Sequence, residues 1–197
     1  MKDVEKEWLQ QAIDGDADAF GHLVEAYDQP VYNLCFRMLG DQYEAEDAAQ
    51  EAFLRAYKSL SRYDSKRSFS TWLLSITAHY CIDQLRKRRM RLVPIDKLGN
   101  WEIRDPSPNP EGSLSISEDQ QRVQTLLDSL SPTDRAAVVM RYWYDFSYQE
   151  ISNALNISLS AVKSRLHRAR RSLAQSWSNK PYQNLNHERK YHESPAL

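Results

Sequence analysis

Glycine is scarce, with five residues in a chain of 197. No Gly-x-Gly-x-x-Gly run and no Walker-type loop can be drawn from Gly15, Gly21, Gly40, Gly99 and Gly112, which excludes a glycine-rich phosphate cradle. The two cysteines, Cys35 and Cys81, lie far apart in sequence. They form neither a metal-ligand cluster, nor a redox-pair motif, nor a disulfide framework. The five histidines (His22, His79, His167, His187 and His192) show no ligand spacing, and no carboxylate cluster suggests a two-metal centre. No cofactor, no metal and no catalysis are therefore expected. Long apolar runs are missing too. No stretch reaches the ~18 residues a membrane helix needs, and the N-terminus has no apolar leader core. Free thiols suit a reducing compartment, so the expected location is the cytoplasm, without direct membrane insertion. Neither sign of charge is in excess, with 26 basic and 27 acidic residues. The distribution of charge carries the information that its sum does not.

Half of the eight prolines fall in one stretch, at Pro94, Pro106, Pro108 and Pro110. Residues 94–117 are polar and lack a helical period, as a linker would. Residues 178–197 are likewise unpatterned and read as a disordered tail. Two compact units are left, 1–93 and 118–177, with no third helical domain between them. Both have the periodicity of helices and neither has a strand pattern of useful length, so the expected fold class is all-α.

In the first unit, helices are expected over 4–15 and 18–39, the second interrupted near Pro30 and stopped by Gly40. Ala45, Ala49, Ala52, Phe53, Ala56 and Leu60 recur at spacings of three and four and define an amphipathic helix. A helix over 70–91 carries two apolar stripes. Phe69, Trp72, Leu73, Ile76 and Tyr80 make one; Leu74, Ala78, Cys81 and Leu85 make the other. A helix apolar on two sides is buried between neighbours, and Trp72 is expected in the core. Its remaining polar stripe is Ser75, His79, Asp83 and Arg86.

In the second unit, Ser131–Asp134 and Ser147–Glu150 both have the Ser-x-x-acid spacing of a helix start. Residues 148–155, 156–158 and 159–173 read as helix, turn, helix. Asn156 tolerates the positive φ of the turn, and Ser158 caps the second helix. Leu159, Val162, Leu166, Ala169 and Leu173 fall within about 80° of arc and form its packing face. The opposite face presents Ser160, Ser164, His167 and Arg171, flanked by Lys163 and Arg168. Hydroxyls, an imidazole and long cations suit a major groove.

Charge is sorted along the chain. Asp41, Glu44, Glu46, Asp47 and Glu51 form an acidic block, and no basic residue falls between Arg37 and Arg55. Arg86, Lys87, Arg88, Arg89 and Arg91 form one basic block; Lys163, Arg165, Arg168, Arg170 and Arg171 form another. The 37 residues between Glu150 and Glu188 contain no acid that would repel phosphate. Two basic patches on two helical units point to nucleic acid.

Three segments in this order resemble the extracytoplasmic-function (ECF) sigma factors, bacterial transcription initiation factors. YEAEDAAQEAFLRAY at 43–57 is similar to the family's core-polymerase-binding segment. FSTWLLSITAHYCIDQLRKRR at 69–89 resembles its −10 recognition helix. LSPTDRAAVVMR at 130–141, followed by 147–173, resembles its −35-binding domain. The resemblance implies that Asp47, Gln50, Glu51 and Leu54, with Lys58 on the same stripe, dock on core RNA polymerase; Glu44 and Glu46, near the helix N-terminus, are instead read as acids favoured by the helix dipole. It implies that Lys66 and Arg67, in a base-capturing loop at 63–68, and Ser75, His79, Arg86 and Arg89 hold the single-stranded −10 element. The family often carries Asn where His79 stands. Ser160, Lys163, Ser164, His167, Arg168 and Arg171 would contact the double-stranded −35 element. The linker would thread toward the polymerase active-site channel, and an anti-sigma factor would be a further partner. The alternative is a helix-turn-helix regulator that is not a polymerase subunit. It accounts for 118–177 but leaves the acidic helix and the two-sided helix without a role.

Overall fold

The computed structural model describes residues 2–65, 67–91 and 118–178. The expected linker, Lys66 and all but the first residue of the expected tail lie outside these residues. Among the described residues the chain is helical without strands. The first unit is α1 (Lys2–Ile13), α2 (Ala17–Leu39), α3 (Gln42–Ser59), a 3-10 turn (Leu60–Arg62) and α4 (Phe69–Arg91). The second is α5 (Glu118–Asp128), α6 (Pro132–Trp143), α7 (Tyr148–Leu155) and α8 (Leu159–Ser178).

Local chemistry sets the helix ends. The Asp16 carboxylate accepts from the Asp18 and Ala19 amides and starts α2. Asp41 does the same for α3 through the Glu44 amide. Ser131 caps α6, and Ser147 with Glu150 closes a reciprocal capping box on α7, at 3.2 and 2.7 Å. Gly40 takes φ 78° and returns its N–H to the Phe36 carbonyl, ending α2. The expected break at Pro30 does not occur. α2 runs through it, because both of its halves are anchored: Phe20 and Leu23 before the proline and Val31, Leu34 and Met38 after it are all buried.

α2 is the spine of the first unit and packs on α1, α3 and α4. The alanines Ala45, Ala48, Ala52 and Ala56 are almost fully buried, and their small side chains let α3 lie close against α2. α4 is buried on both of its expected sides: Leu73, Leu74, Ala78 and Cys81 have 2% exposure or less. Trp72 is only half-buried, a correction to its expected core position. It packs at the core's margin, edge-on to Tyr63 at 5.2 Å and tilted to Phe69 at 5.7 Å. The two cysteines, distant in sequence, meet where α2 and α4 pack. The Cys35 thiol is pushed up by its hydrogen bond with Cys81 and by burial. In the second unit α6, α7 and α8 pack on one another around Val139, Ile151, Val162 and Leu166.

The two units are not separate bodies. α6 packs on α2 and α4, and α7 packs on α4, so one apolar core runs through both.

Candidate nucleic-acid interface

On α3, Asp47, Gln50 and Leu54 are exposed and Glu51 is half-buried. Leu54 keeps 52% of its surface in water, a lone aliphatic on a polar face. Glu51 accepts from Arg55 at 2.7 Å, so part of its charge is used within the helix. A groove of about 660 Å³ opens between α2 and α3 beside these residues. Val24, Tyr32, Phe53, Leu54 and Tyr57 line it, with exposed Asp28 and Glu46. Its field is negative. The Tyr32 hydroxyl is raised above its ordinary pKa by burial and then by the charges of Glu46 and Asp41. The α2 half of this groove had no signal in sequence, because its residues, Phe20 to Tyr32, are spread over more than three turns of a helix to which the sequence assigned no surface role.

On α4 the polar stripe faces out as expected, with local bonds of its own. Ser75 is half-buried and its hydroxyl donates to the Trp72 carbonyl at 2.7 Å. The exposed His79 ring places Nδ1 2.9 Å from the Ser75 carbonyl. Arg86 and Arg89 are exposed, and Arg86 lies 3.7 Å from Asp83, a pairing too open to hold it strongly. Arg88 departs from the basic block. It is half-buried, ion-paired with Glu44 on α3, and donates to the Leu39 carbonyl at 3.5 Å. Glu44, read as a dipole residue, is thus also an inter-helix partner. In the preceding loop the Tyr63 hydroxyl donates to the Arg67 carbonyl and the Arg67 amide to the Asp64 carbonyl, leaving the Arg67 side chain exposed.

The helix-turn-helix has the expected form. Asn156 takes φ 52° and the Ser158 hydroxyl accepts from the Ala161 amide at 3.2 Å. Val162, Leu166 and Ala169 are buried. Ser160, Lys163, Ser164, His167, Arg168 and Arg171 are all exposed, on the opposite face. Leu159 is a correction: the first residue of α8, it stands 38% exposed beyond the packed stretch. Asp134 on α6 went unnoticed as a partner, since its spacing from Ser131 explained it as a cap residue. Its carboxylate, 17% exposed, binds the Arg165 guanidinium at 2.8 Å and lies 3.9 Å from that of Arg168. The cation facing the protein is neutralised, and those on the outer face are left to solvent.

Among the described residues no group of three His, Cys, Asp or Glu is placed to hold a metal, and no helix is long and apolar enough to cross a membrane.

Known families and proteins match this arrangement. The model of Sigma-70 region 2 matches residues 23–91, and that of Sigma-70 region 4 matches residues 120–173. These matches define a sigma-70-type transcription factor. Among curated relatives, the ECF RNA polymerase sigma factor SigW of Bacillus subtilis is 36% identical over 85% of this chain and 94% of its own length. The ECF RNA polymerase sigma factor SigE of Mycolicibacterium smegmatis is 37% identical over 79% of this chain and 60% of its own. The chain belongs to the ECF RNA polymerase sigma factors, transcription factors that direct RNA polymerase to promoters. The same fold is found in CnrH, solved in complex with the cytosolic domain of CnrY (TM-score 0.66, 23% identity, 89% of this chain and 97% of that one). It recurs in RpoE of Bartonella quintana, solved with the anti-sigma factor NepR (TM-score 0.61, 21% identity, 82% and 98%).

Proposed function

We propose that three surfaces divide the work of this sigma factor. The exposed stripe of α3 (Asp47, Gln50, Glu51 and Leu54), with the groove beside it, docks on core RNA polymerase. An acidic surface with an apolar centre suits a basic amphipathic partner, and the charge speeds encounter. The loop residues Lys66 and Arg67 and the α4 residues Ser75, His79, Arg86 and Arg89 hold the unpaired −10 strand. Unstacking each base costs a few kcal/mol, which contacts to bases and phosphates must offset. Ser160, Lys163, Ser164, His167, Arg168 and Arg171 read the −35 duplex. In this reading 1–93 is the polymerase and −10 unit and 118–177 the −35 unit. The protein acts in the cytoplasm, and an anti-sigma factor covers these surfaces when transcription is not required.

The single observation that carries the reading is the sorting of cations on α8. Six polar or basic side chains share an exposed face with no acid among them, while Arg165 behind it is bound to Asp134. The test is reconstitution. Purified chain added to core polymerase is expected to start transcripts at defined sites on native promoter templates. No promoter-directed transcript, with the chain folded and free of inhibitor, would overturn the reading.

Asp134 gives a finer check. Asp134→Asn releases Arg165 and Arg168 from a shared carboxylate. Affinity for any duplex is expected to rise about threefold, with a steeper fall as salt increases, since more cations then displace counterions. Anisotropy titrations of one specific and one unrelated duplex over a salt series measure both effects. An unchanged salt slope would mean that the two arginines stay away from phosphate.

A further inference from the structure

Two hydrogen-bond donors on the polar stripe of α4 are taken up by the helix's own backbone. The Ser75 hydroxyl gives its single hydrogen to the Trp72 carbonyl at 2.7 Å. The His79 ring sets Nδ1 2.9 Å from the Ser75 carbonyl. A carbonyl oxygen only accepts, so Nδ1 carries the hydrogen, and in the uncharged ring Nε2 is left as a bare acceptor. Asp83 follows one turn later, and a carboxylate also only accepts. Its contact with Arg86 is long, at 3.7 Å.

Positions 75, 79 and 83 are four residues apart, so successive groups stand about 6 Å apart along one side of the helix. His79 and Asp83 are exposed and Ser75 is half-buried. α4 therefore turns a row of lone pairs outward: Ser75 Oγ, His79 Nε2 and the Asp83 carboxylate. The helix carries no Lys or Arg before Arg86; exposed Arg86 and Arg89 then follow. The residue types alone conceal this row, because serine and histidine are donors as well as acceptors until the backbone takes their hydrogens.

We infer that the row selects amino bases, adenine or cytosine, from the unpaired strand, while the phosphates of that strand are left to the arginines. The inference rests on the proposed −10 role of α4 and adds what that surface reads. Phosphate oxygens only accept, so they find no partner along the row. Adenine N6 and cytosine N4 are donors, whereas guanine O6 and thymine O4 at the corresponding places are acceptors. Guanine N1–H and thymine N3–H do not make up the difference, since each stands beside a carbonyl that meets the same lone pairs. An amino base satisfies the row. A keto base in its place leaves two acceptors opposed and stripped of water, which weakens binding.

The test measures anisotropy of two labelled single-stranded octamers with the full chain, at low salt and about pH 8, where an ordinary imidazole is uncharged. One octamer alternates adenine and cytosine. The other alternates hypoxanthine and uracil, the same rings with each amine replaced by a carbonyl. The parent is expected to bind the amino octamer about tenfold more tightly. In the double variant His79→Asn, Asp83→Asn each amide can turn either its oxygen or its NH2 outward, and the ratio is expected to fall to about one. The ratio is the readout because losing the Asp83 charge also releases Arg86, which strengthens both octamers alike. Equal affinities in the parent, or a tenfold ratio that survives the double variant, overturn the inference. A second double variant, Arg86→Ala with Arg89→Ala, separates it from the functional reading, and is expected to weaken both octamers about tenfold. Equal parent affinities with this loss intact sink the acceptor row and leave the −10 surface standing. No loss from the arginine pair sinks the surface, and the row with it.

Discussion

Arg168→Ala is expected to weaken binding to a −35 duplex by about 1–3 kcal/mol, roughly 5- to 150-fold, if the side chain reads a base. Arg168 is on the flank of the α8 face that carries Ser160, Ser164, His167 and Arg171, and 64% of its side chain is in solvent. Its carboxylate neighbour, Asp134, is 3.9 Å away, and at that separation a guanidinium that stands mostly in solvent is held weakly. The arginine is free to offer two parallel donors to a guanine edge, the geometry that lysine cannot reproduce. The packing face of α8 is built from Val162, Leu166 and Ala169, so truncating Arg168 leaves the fold alone. Titration of matched and mismatched duplexes decides the role. Loss confined to the matched duplex marks base reading, and equal loss on all duplexes marks a phosphate contact. No loss at low salt removes Arg168 from the interface.

Asp47→Lys is expected to lower affinity for core polymerase about tenfold, with less dependence on salt than the parent shows. Asp47 is exposed on α3, on the same stripe as Glu51 and the solvent-facing Leu54. The helix buries its alanines on the other side, so the charge reversal disturbs no packing. Its cost to the helix dipole is a few tenths of a kcal/mol. What changes is the field presented to a basic partner. A fluorescence titration against core polymerase at two salt concentrations reads both effects. Unchanged affinity with an intact helical spectrum would detach α3 from the polymerase interface.

The sequence revealed features that depend on neighbours within a turn or two of the same helix. Ser147 and Glu150 are three residues apart, and that spacing alone brings each side chain to the other's amide. Asn156 and Ser158 mark the helix-turn-helix for the same reason. The alternation of Leu73, Leu74, Ala78 and Cys81 announces burial on two sides before any partner is known. Reading by period failed where a residue's role depends on something distant. Pro30 looks like a break because the sequence holds its missing N–H but not the packing on either side that keeps α2 continuous. Arg88 and Arg165 belong to basic runs, yet Glu44 and Asp134 turn them inward. The groove beside Leu54 needs α2 and α3 side by side, and neither helix alone contains it.

The sequence by itself therefore determined most of the helices, the caps at Ser131, Ser147 and Ser158, and the exposed polar face of α8, because each follows from residue types at short fixed spacings, while the sigma family was legible in the resemblance of three segments taken in order. The tertiary structure alone decided which charges are spent inside the protein, that Cys35 meets Cys81, and that the second unit supplies the cap for α2. Those outcomes join residues 31 to 97 positions apart, such as Asp134 with Arg165 and Met38 with Arg135, and only packing selects such pairs.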